Sequence, residues 1–280
     1  MDVATLFDKD FSVEGYVCAK SAVERGRAGT VFILCLDSYV EKTLFNQISG
    51  AVLIPLGDVE SFYPILPKLK AQRDWKSYVG TLKPFLLGYL LEFFAVDRVA
   101  MVDSDMFFWG STKELERVMG DAGVLVVSRE HDPPLRSGWF NDGFVAAGLS
   151  GISFVRWWQE RCVEWCEWMQ QGPNGAFQAE GYLNIIHDDP SLFPEAKWVE
   201  HPGINLAQWN VRWHKLVPDG DRFLVDNEYP LVCFHYRDFQ DHTQPFWEDA
   251  PVLKENLNLI YRPYYQFLRD AAGSAVFSMR

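Results

Sequence analysis

Short apolar runs alternate along the chain with longer segments in which apolar residues recur every three or four positions. Near-continuous apolar runs bounded by polar residues are typical of strands buried on both faces, and helical spacing of apolar residues indicates amphipathic helices. Strands that alternate with helices favour an α/β fold with a mostly parallel central sheet flanked by helices. The predicted strands cover residues 3–7, 30–36, 51–56, 98–102, 123–127 and 231–234.

The predicted helices cover residues 13–24, 78–94, 112–119, 154–169 and 180–187. Pro84 falls within the second of these, and we expect it in the first turn, where a proline removes no helical hydrogen bond. The fourth helix has a stripe of large side chains that predicts core packing: Phe154, Trp158, Cys162, Trp165 and Met169.

An apolar stretch at 143–147 follows what reads as a polar turn at Asn141 and Asp142, and the chain breaks at 172–175, where Gly, Pro, Asn and Gly follow one another. No linker separates two parts of the chain, so we predict a single domain that spans residues 1–280.

The composition narrows the classes of function. Almost half of the 280 residues are apolar, which is enough for a sizeable core. The formal net charge of -12 disfavours binding to nucleic acids and to anionic membrane surfaces, because both would be repelled. An acidic chain that binds a phosphorylated ligand must offset the ligand's charge locally, and a divalent metal held by carboxylates would do so.

Five cysteines occur without regular spacing, and we predict buried thiols of a reducing compartment. Cys162 and Cys166 lie one helical turn apart and could form half of a metal site, but no second Cys/His pair has matching spacing. The N-terminal residues lack a basic leader pattern, and no apolar run is long enough for an integral membrane segment. We therefore expect a cytoplasmic protein.

The clearest chemical signal is the segment Asp103-Ser104-Asp105, which directly follows the apolar run at 98–102. Open α/β sheets bind ligands at the carboxyl ends of their strands. Two carboxylates one residue apart at such a bend can face one hard divalent ion, Mn²⁺ or Mg²⁺, which would also bind phosphate oxygens of a substrate. The alternative is a solvated turn, which is common for this pattern.

Five short segments resemble, in order, those of the GT-A-fold nucleotide-diphospho-sugar glycosyltransferases, and are most similar to glycosyltransferase family 8 (glycogenin-like and lipooligosaccharide galactosyltransferase-like enzymes). They are TLKPFLL at 81–87, VAMVDSDMFF at 99–108, FNDGFV at 140–145, PGINLAQWN at 202–210 and CFHY at 233–236. The resemblance covers roughly residues 3–240. It implies a nucleotide-binding part over about 1–110, an acceptor-binding part over about 111–250 and a C-terminal tail.

The resemblance also implies roles for individual residues. Asp103 and Asp105 would bind the metal, and His235 would be its third protein ligand through a neutral imidazole nitrogen. Asp103 and Ser104 would also face the donor. A satisfied core histidine is the alternative for His235, and a surface lysine is the alternative for Lys83, which would help to hold the donor.

The loop after the first strand resembles the family's nucleobase and ribose site. Phe7 lies at its start, and Phe11 stands where the family often has a tyrosine that stacks on uracil. Asp8 or Asp10 could accept hydrogen bonds from the base or the ribose, although an ordinary Asp-rich turn is equally compatible with the sequence. Uridine is therefore the expected base.

Two segments depart from the family's pattern. Asn141 and Asp142 would contact sugar hydroxyls, but the family's Asp-Gln pair after the Gly-Pro break is replaced by Ala179 and Glu180. Glu180 could take the place of the catalytic carboxylate, or it could be the N-terminal acid of a helix, stabilised by the helix dipole.

After His235 the family often has a glycine and a lysine that contacts the diphosphate, whereas this chain has Arg237 and His242. We expect Arg237 to bind phosphate in the lysine's place.

The resemblance implies a metal-dependent transferase that moves a sugar from a nucleoside-diphosphate sugar to a carbohydrate or glycoconjugate acceptor, with retained configuration. Two alternatives remain open on the sequence. One is a carbohydrate-binding domain that kept the fold and lost turnover, and the other is an Asp-x-Asp phosphohydrolase. The phosphohydrolase is disfavoured because its motif belongs on the first strand, whereas Asp103 follows about a hundred residues of other structure.

Overall fold

In the computed structural model, residues 1–130, 138–168, 170, 172, 178–237 and 254–278 are described. The strands are β1 (Asp2–Phe7), β2 (Val31–Cys35), β3 (Ala51–Pro55), β4 (Arg98–Val102), β5 (Met106–Phe108), β6 (Val124–Ser128), β7 (Phe140–Gly148), β8 (Ala196–Val199), β9 (Leu206–Ala207), β10 (Leu216–Asp219), β11 (Arg222–Val225), β12 (Tyr229–Pro230) and β13 (Cys233–His235). The α-helices are α1 (Ser12–Glu24), α2 (Ser38–Leu44), α3 (Leu56–Phe62), α4 (Leu66–Gln72), α5 (Trp75–Glu92), α6 (Lys113–Met119), α7 (Ile152–Glu164), α8 (Ile185–Asp188), α9 (Lys254–Asn256), α10 (Arg262–Ala272) and α11 (Ala275–Ser278).

The central sheet has seven strands in the order β3-β2-β1-β4-β7-β6-β8. The pairs β3–β2, β2–β1, β1–β4 and β6–β8 are parallel. Strand β7 runs antiparallel to both of its neighbours, β4 and β6. The prediction of an α/β fold with a mostly parallel sheet is confirmed. Among the described strands of this central sheet, only β7 runs in the opposite direction.

Both faces of the sheet are buried, which explains why its strands read as continuous apolar runs. In β2, Val31, Ile33 and Cys35 face one hydrophobic core, while Phe32 and Leu34 face the other. The first core is shared with α1 and α10, and the second with α5 and α7. Side chains of a strand alternate between faces, so each strand contributes to both cores.

Helix α5 begins three residues earlier than predicted. The carboxylate of Asp74 accepts a hydrogen bond from the backbone N–H of Ser77 at 3.0 Å and caps the helix. Pro84 therefore lies inside α5, and the prediction that it occupies the first turn is wrong. The capping signal at Asp74 precedes the apolar pattern on which the prediction depended.

Helix α7 is shorter than predicted. Phe154, Trp158 and Cys162 are buried as expected. Trp165, in contrast, has an extended backbone with φ of -154° and ends the helix, so it does not continue the stripe. Met169 lies outside the described residues.

The residues beyond 250, for which we expected a C-terminal tail, include the helices α9 to α11. Tyr264 and Leu268 of α10 are fully buried in the same core as α1. The ring of Tyr264 stacks on Tyr236, directly after β13, with centroids 3.7 Å apart. Within the described part of the chain, no helix combines the length and the apolar character needed to cross a membrane.

Candidate active site

Asp103 and Asp105 lie at the carboxyl end of β4, in a bend that three backbone hydrogen bonds hold. The N–H of Asp103 donates to Gly143 O of β7 at 3.0 Å, and the N–H of Met106 donates to Asp103 O at 3.2 Å. The N–H of Tyr236 donates to Asp105 O at 2.9 Å. The bend is therefore fixed from the sheet on one side and from β13 on the other.

His235 reaches the bend because β13 pairs antiparallel with β5, the strand that follows the bend, and His235 lies opposite Met106. Its Nε2 lies 3.1 Å from Asp105 Oδ1 and 3.9 Å from Asp103 Oδ2. One ligand atom from each of these three residues lies within 4.8 Å of the others. A single divalent ion can contact all three, and carboxylate and imidazole groups are both common ligands of divalent metal ions in proteins.

The charges around His235 are balanced by neighbours. Burial would lower the pKa of His235, but the carboxylates of Asp105 and Asp103 raise it above its usual value. Its Nδ1 lies 3.3 Å from the side-chain oxygen of Asn205. With a hydrogen bond from Nδ1–H to that oxygen, Nε2 is the ring nitrogen that faces the two carboxylates, and in the neutral imidazole it would be the nitrogen available to a metal ion.

Lys83 is a buried cation between two acids. Its Nζ lies 2.8 Å from Asp103 Oδ1 and 3.0 Å from Asp142 Oδ1. Burial alone would lower the pKa of Lys83, but these two carboxylates raise it. Lys83 is therefore a permanent positive charge inside the site, and the surface-lysine alternative is wrong.

Asn141 and Asp142 lie within β7 and are buried, so the prediction of a turn at these residues is wrong. They are tolerated in a buried strand because each has partners: Asp142 binds Lys83, and the Asn141 side-chain oxygen accepts from the backbone N–H of Gly143 at 2.9 Å. At Gly143 a β-carbon would lie 2.6 Å from the His235 ring, so only glycine lets the strand approach this closely.

Glu180 is buried in the first turn of a 3-10 helix, Glu180–Asn184. Its carboxylate accepts hydrogen bonds from the guanidinium of Arg129 and, at 3.2 Å, from the side-chain amide of Asn141. The indole of Trp209 lies below the Arg129 guanidinium (5.9 Å) and contacts the His235 ring edge-to-face (5.3 Å). Glu180 is therefore linked to β7 through Asn141, and to the cluster of Asp103, Asp105 and His235 through Arg129 and Trp209.

Sequence reasoning missed Arg129, which is 3% exposed. Burial lowers the pKa of Arg129, while the carboxylate of Glu180 opposes this shift. A signal was present, since Arg129 lies two residues after the apolar run at 123–127, near the end of a predicted strand as Asp103 is.

The loop predicted to bind the nucleobase lies at the carboxyl end of β1, which pairs parallel with β4, so this loop and the bend at Asp103 lie at the same edge of the sheet. Phe7 ends β1 and is buried in the core, whereas Phe11 is partly exposed. Asp8 caps a short 3-10 helix, Lys9–Phe11, by accepting from the backbone N–H of Asp10 at 3.0 Å, and it also accepts from the exposed indole of Trp75 at 2.7 Å. The loop is an ordered turn, and Trp75 is a neighbour that the sequence did not suggest.

The remaining predicted residues surround the cluster. Ser104 is partly exposed between the two aspartates. Arg237 is partly exposed two residues beyond His235, and its charge acts on Arg129. His242 lies outside the described residues. All five cysteines are free and buried, so the prediction of buried thiols is confirmed. The half metal site considered for Cys162 and Cys166 gains no further ligand among the described residues.

The architecture has counterparts among solved structures. The galactosyltransferase LgtC, solved with donor and acceptor sugar analogues, aligns with a TM-score of 0.57 at 15% identity over 98% of this chain and 95% of its own. Mouse xyloside xylosyltransferase 1 aligns with a TM-score of 0.54 at 11% identity over 86% of this chain and 98% of its own. The chain therefore has the GT-A fold of these glycosyltransferases, as the sequence resemblance implied.

Two curated proteins of Bacillus subtilis (strain 168), both described as uncharacterised, are similar in sequence. YfnF is 27% identical over 251 residues, and YfnD is 26% identical over 247 residues. Each alignment covers 84% of this chain, with 80% of YfnF and 78% of YfnD. No family model matches the chain.

Proposed function

We propose that this protein is a metal-dependent glycosyltransferase that moves a sugar from a nucleoside-diphosphate sugar to a hydroxyl group of a carbohydrate or glycoconjugate acceptor. The main support is the cluster of Asp103, Asp105 and His235, whose ligand atoms lie within 4.8 Å of one another at the carboxyl edge of the sheet. In an open α/β fold this edge is where ligands bind. The structures with the same fold include a galactosyltransferase and a xylosyltransferase.

Asp103, Asp105 and His235 would hold Mn²⁺, or Mg²⁺ as the second choice. When bound, the ion would neutralise charge on the diphosphate of the donor. Lys83 supplies a second, fixed positive charge 2.8 Å from Asp103. Because the chain is strongly acidic overall, a diphosphate would bind at this edge of the sheet only if these local cations offset its negative charge.

The donor would lie with its base against the loop after β1 and its sugar towards β7. Phe11 is partly exposed and would stack on the base, and we assign uridine on the basis of this position. Asp8 and Asp10 would accept hydrogen bonds from the base or ribose. Asn141 and Asp142 would contact the sugar hydroxyls, and Arg237 would assist at the diphosphate.

We propose a retaining reaction. The bond between the anomeric carbon and the phosphate oxygen breaks, the acceptor hydroxyl oxygen bonds to the same face of that carbon, and the hydroxyl proton moves to the departing phosphate. Glu180 already accepts hydrogen bonds from Arg129 and Asn141, which suits a group that stabilises positive charge at the anomeric carbon better than one that removes a proton. An inverted product would overturn this part and make Glu180 a candidate base.

Five buried free thiols agree with a reducing compartment, and we propose that the reaction takes place in the cytoplasm.

The test is thermal stability and nucleotide release with a panel of nucleotides: UDP, GDP, UDP-glucose, UDP-galactose, UDP-N-acetylglucosamine and GDP-mannose, each with and without Mn²⁺. A ligand that binds only the folded state at a hundred times its dissociation constant adds about 2.7 kcal/mol to stability. The variants are Asp105→Asn and, as a matched control, Asp121→Asn, which removes an exposed acid away from the site.

We expect Mn²⁺-dependent stabilisation by UDP and slow release of UDP from one UDP-sugar, both lost in Asp105→Asn and kept in Asp121→Asn. Stabilisation without release from any sugar, with or without an added acceptor, would support a binding domain that has lost turnover. No response to any nucleotide from a folded protein would refute the proposed site.

A further inference from the structure

His214 is held between two carboxylates on different parts of the chain. Its Nε2 lies 2.7 Å from Glu130 Oε2, and its Nδ1 lies 2.6 Å from Asp226 Oδ2. Glu130 follows β6, and Asp226 follows β11, next to the hairpin of β10 and β11. The imidazole therefore joins Glu130, which follows β6, to Asp226, which follows β11.

The segment that follows β6 needs such an anchor because its backbone is strained. Glu130 has a φ of 52°, in the left-handed region that residues other than glycine rarely adopt. Besides His214, its carboxylate accepts from the side-chain amide of Asn210 at 3.2 Å. A strained residue persists when its surroundings over-determine it, and here two side chains hold the same carboxylate oxygen.

The residue before Glu130 is Arg129, the buried partner of Glu180. The N–H of Arg129 donates to Trp139 O at 2.9 Å, and Arg129 and Glu130 directly follow the end of β6. The direction in which Arg129 enters the site is thus set by the sheet on one side and by the clamped Glu130 on the other. If Glu130 were released, its backbone could relax and displace the guanidinium.

We propose that His214 is a positioning residue: by clamping Glu130 it holds Arg129 against Glu180, and it does so only as a cation. The proposal rests on the glycosyltransferase function proposed above. His214 touches neither the metal cluster nor Glu180 in any contact that the structure gives, so its influence is indirect, through Glu130 and Arg129.

The charge of His214 decides whether both bonds can form. A protonated imidazole has two N–H donors, whereas a neutral one has a single donor and would turn a lone pair towards one of the carboxylates. The hydrogen bonds to Glu130 and Asp226 raise the pKa of His214 to about 8, against the lowering effect of burial. The last helices contribute a neutral group, the amide of Asn256, which donates to the His214 backbone oxygen at 3.5 Å.

The experiment compares the kcat for UDP release from UDP-sugars between pH 6.5 and 9.5 in the wild type, His214→Gln and Asp226→Asn. Binding of UDP with Mn²⁺ is measured in parallel. The control is His201→Gln, which removes another histidine paired with a glutamate, Glu114 on α6. Any effect of pH on the metal ligands is shared by all four proteins and cancels in the ratio of variant to wild type.

We expect the kcat of His214→Gln to be about tenfold below that of the wild type at pH 7, since small misplacements of catalytic groups have effects of this size or larger. Above pH 9 the ratio of the two kcat values should approach one. In the wild type, kcat should decline with rising pH as His214 loses its proton. Asp226→Asn should move this decline to lower pH by roughly one unit, because it removes one anion that favours the cation. UDP affinity should change less than twofold, and His201→Gln should follow the wild type.

A ratio for His214→Gln that does not vary with pH, or a decline that stays in place in Asp226→Asn, would overturn the positioning role. Should His214→Gln fail to fold, Asp226→Asn alone tests the positioning role, through the pH at which its kcat declines relative to the wild type. These results differ from failure of the proposed function, which would show as absence of UDP binding and UDP release in the wild type itself.

Discussion

Replacement of Lys83 by methionine tests the electrostatic design of the site. The side chain is 12% exposed, and its ammonium lies within 3.0 Å of carboxylate oxygens on Asp103 and Asp142. Methionine keeps most of the apolar stem and removes the charge. The two acids, from adjacent strands β4 and β7, would then share the site without their cation.

Removing one partner of a buried ion pair costs about 3–5 kcal/mol, because the other charge stays buried without compensation. Asp103 is 27% exposed, so solvent screens part of this cost and we take the lower end, about 3 kcal/mol. For a protein of this size each kcal/mol lowers the melting temperature by roughly 2–4 °C. The expected decrease for Lys83→Met without metal is therefore roughly 6–12 °C.

The decrease should depend on pH in a defined direction. Burial already raises the pKa of Asp103, and Lys83 opposes the shift. Without Lys83 the folded-state pKa rises further above the unfolded value, so the folded state takes up a proton first as pH falls. The destabilisation is fully present well above the folded-state pKa and fades as pH falls towards the unfolded value near ~4.

The assay is calorimetric or fluorescence melting of the wild type, Lys83→Met and the control Lys20→Met at pH 5 and pH 8, with and without Mn²⁺ and UDP. Lys20 is an exposed lysine with a surface glutamate 3.8 Å away, so its loss should change little. Mn²⁺ restores positive charge and should narrow the difference at pH 8. An equal decrease at both pH values, or one no larger than that of Lys20→Met, would show that Lys83 does not offset buried negative charge.

Three further results are expected. Gly143→Ala should weaken Mn²⁺ binding at least tenfold, measured by calorimetric titration, because the new methyl group meets the His235 ring; unchanged affinity would contradict the close approach of β7. Asp74→Ala should cost about 1 kcal/mol in urea denaturation through loss of the cap on Ser77, and Asp74→Asn should recover most of it. The wild type should be about 1 kcal/mol more stable than His214→Gln at pH 6, with the gap lost as pH rises through about 8, since the folded pKa of His214 is raised; a gap that widens with pH would reverse the assigned sign.

The parts of the fold that were predicted from the sequence share a simple physical cause. β1, β2 and β4 are buried on both faces, and this forces apolar runs that cannot be mistaken for loops. The helices α2 to α4 were missed because each buries only two side chains, too few to define a helical face, whereas α6, of the same length, buries three and was predicted. Among these four helices, the number of buried side chains, more than length, separates the predicted one from the missed ones.

In the site, Asp103 and Asp105 were predicted because a polar pair ends an apolar strand. Asn141 and Asp142 were assigned to a turn, because polar residues within a buried strand look unfavourable until their partners are known. Lys83, the partner of Asp142, lies on α5, far away in sequence, so no local pattern could reveal the compensation. The place of His235 came from the family resemblance alone, since a single histidine after a short apolar run carries no distinct pattern.

The packing of α10 against α1 has a consequence for how the chain folds during synthesis. Tyr264 and Leu268 complete a core that β1 and β2 begin to form, yet they are translated more than two hundred residues later. Until then, the core between these strands and α1 stays incomplete, and apolar surface left exposed in this way is prone to aggregate. Chaperone dependence during translation should therefore be set by the time needed to reach the last helices, and slower translation would lengthen the vulnerable interval.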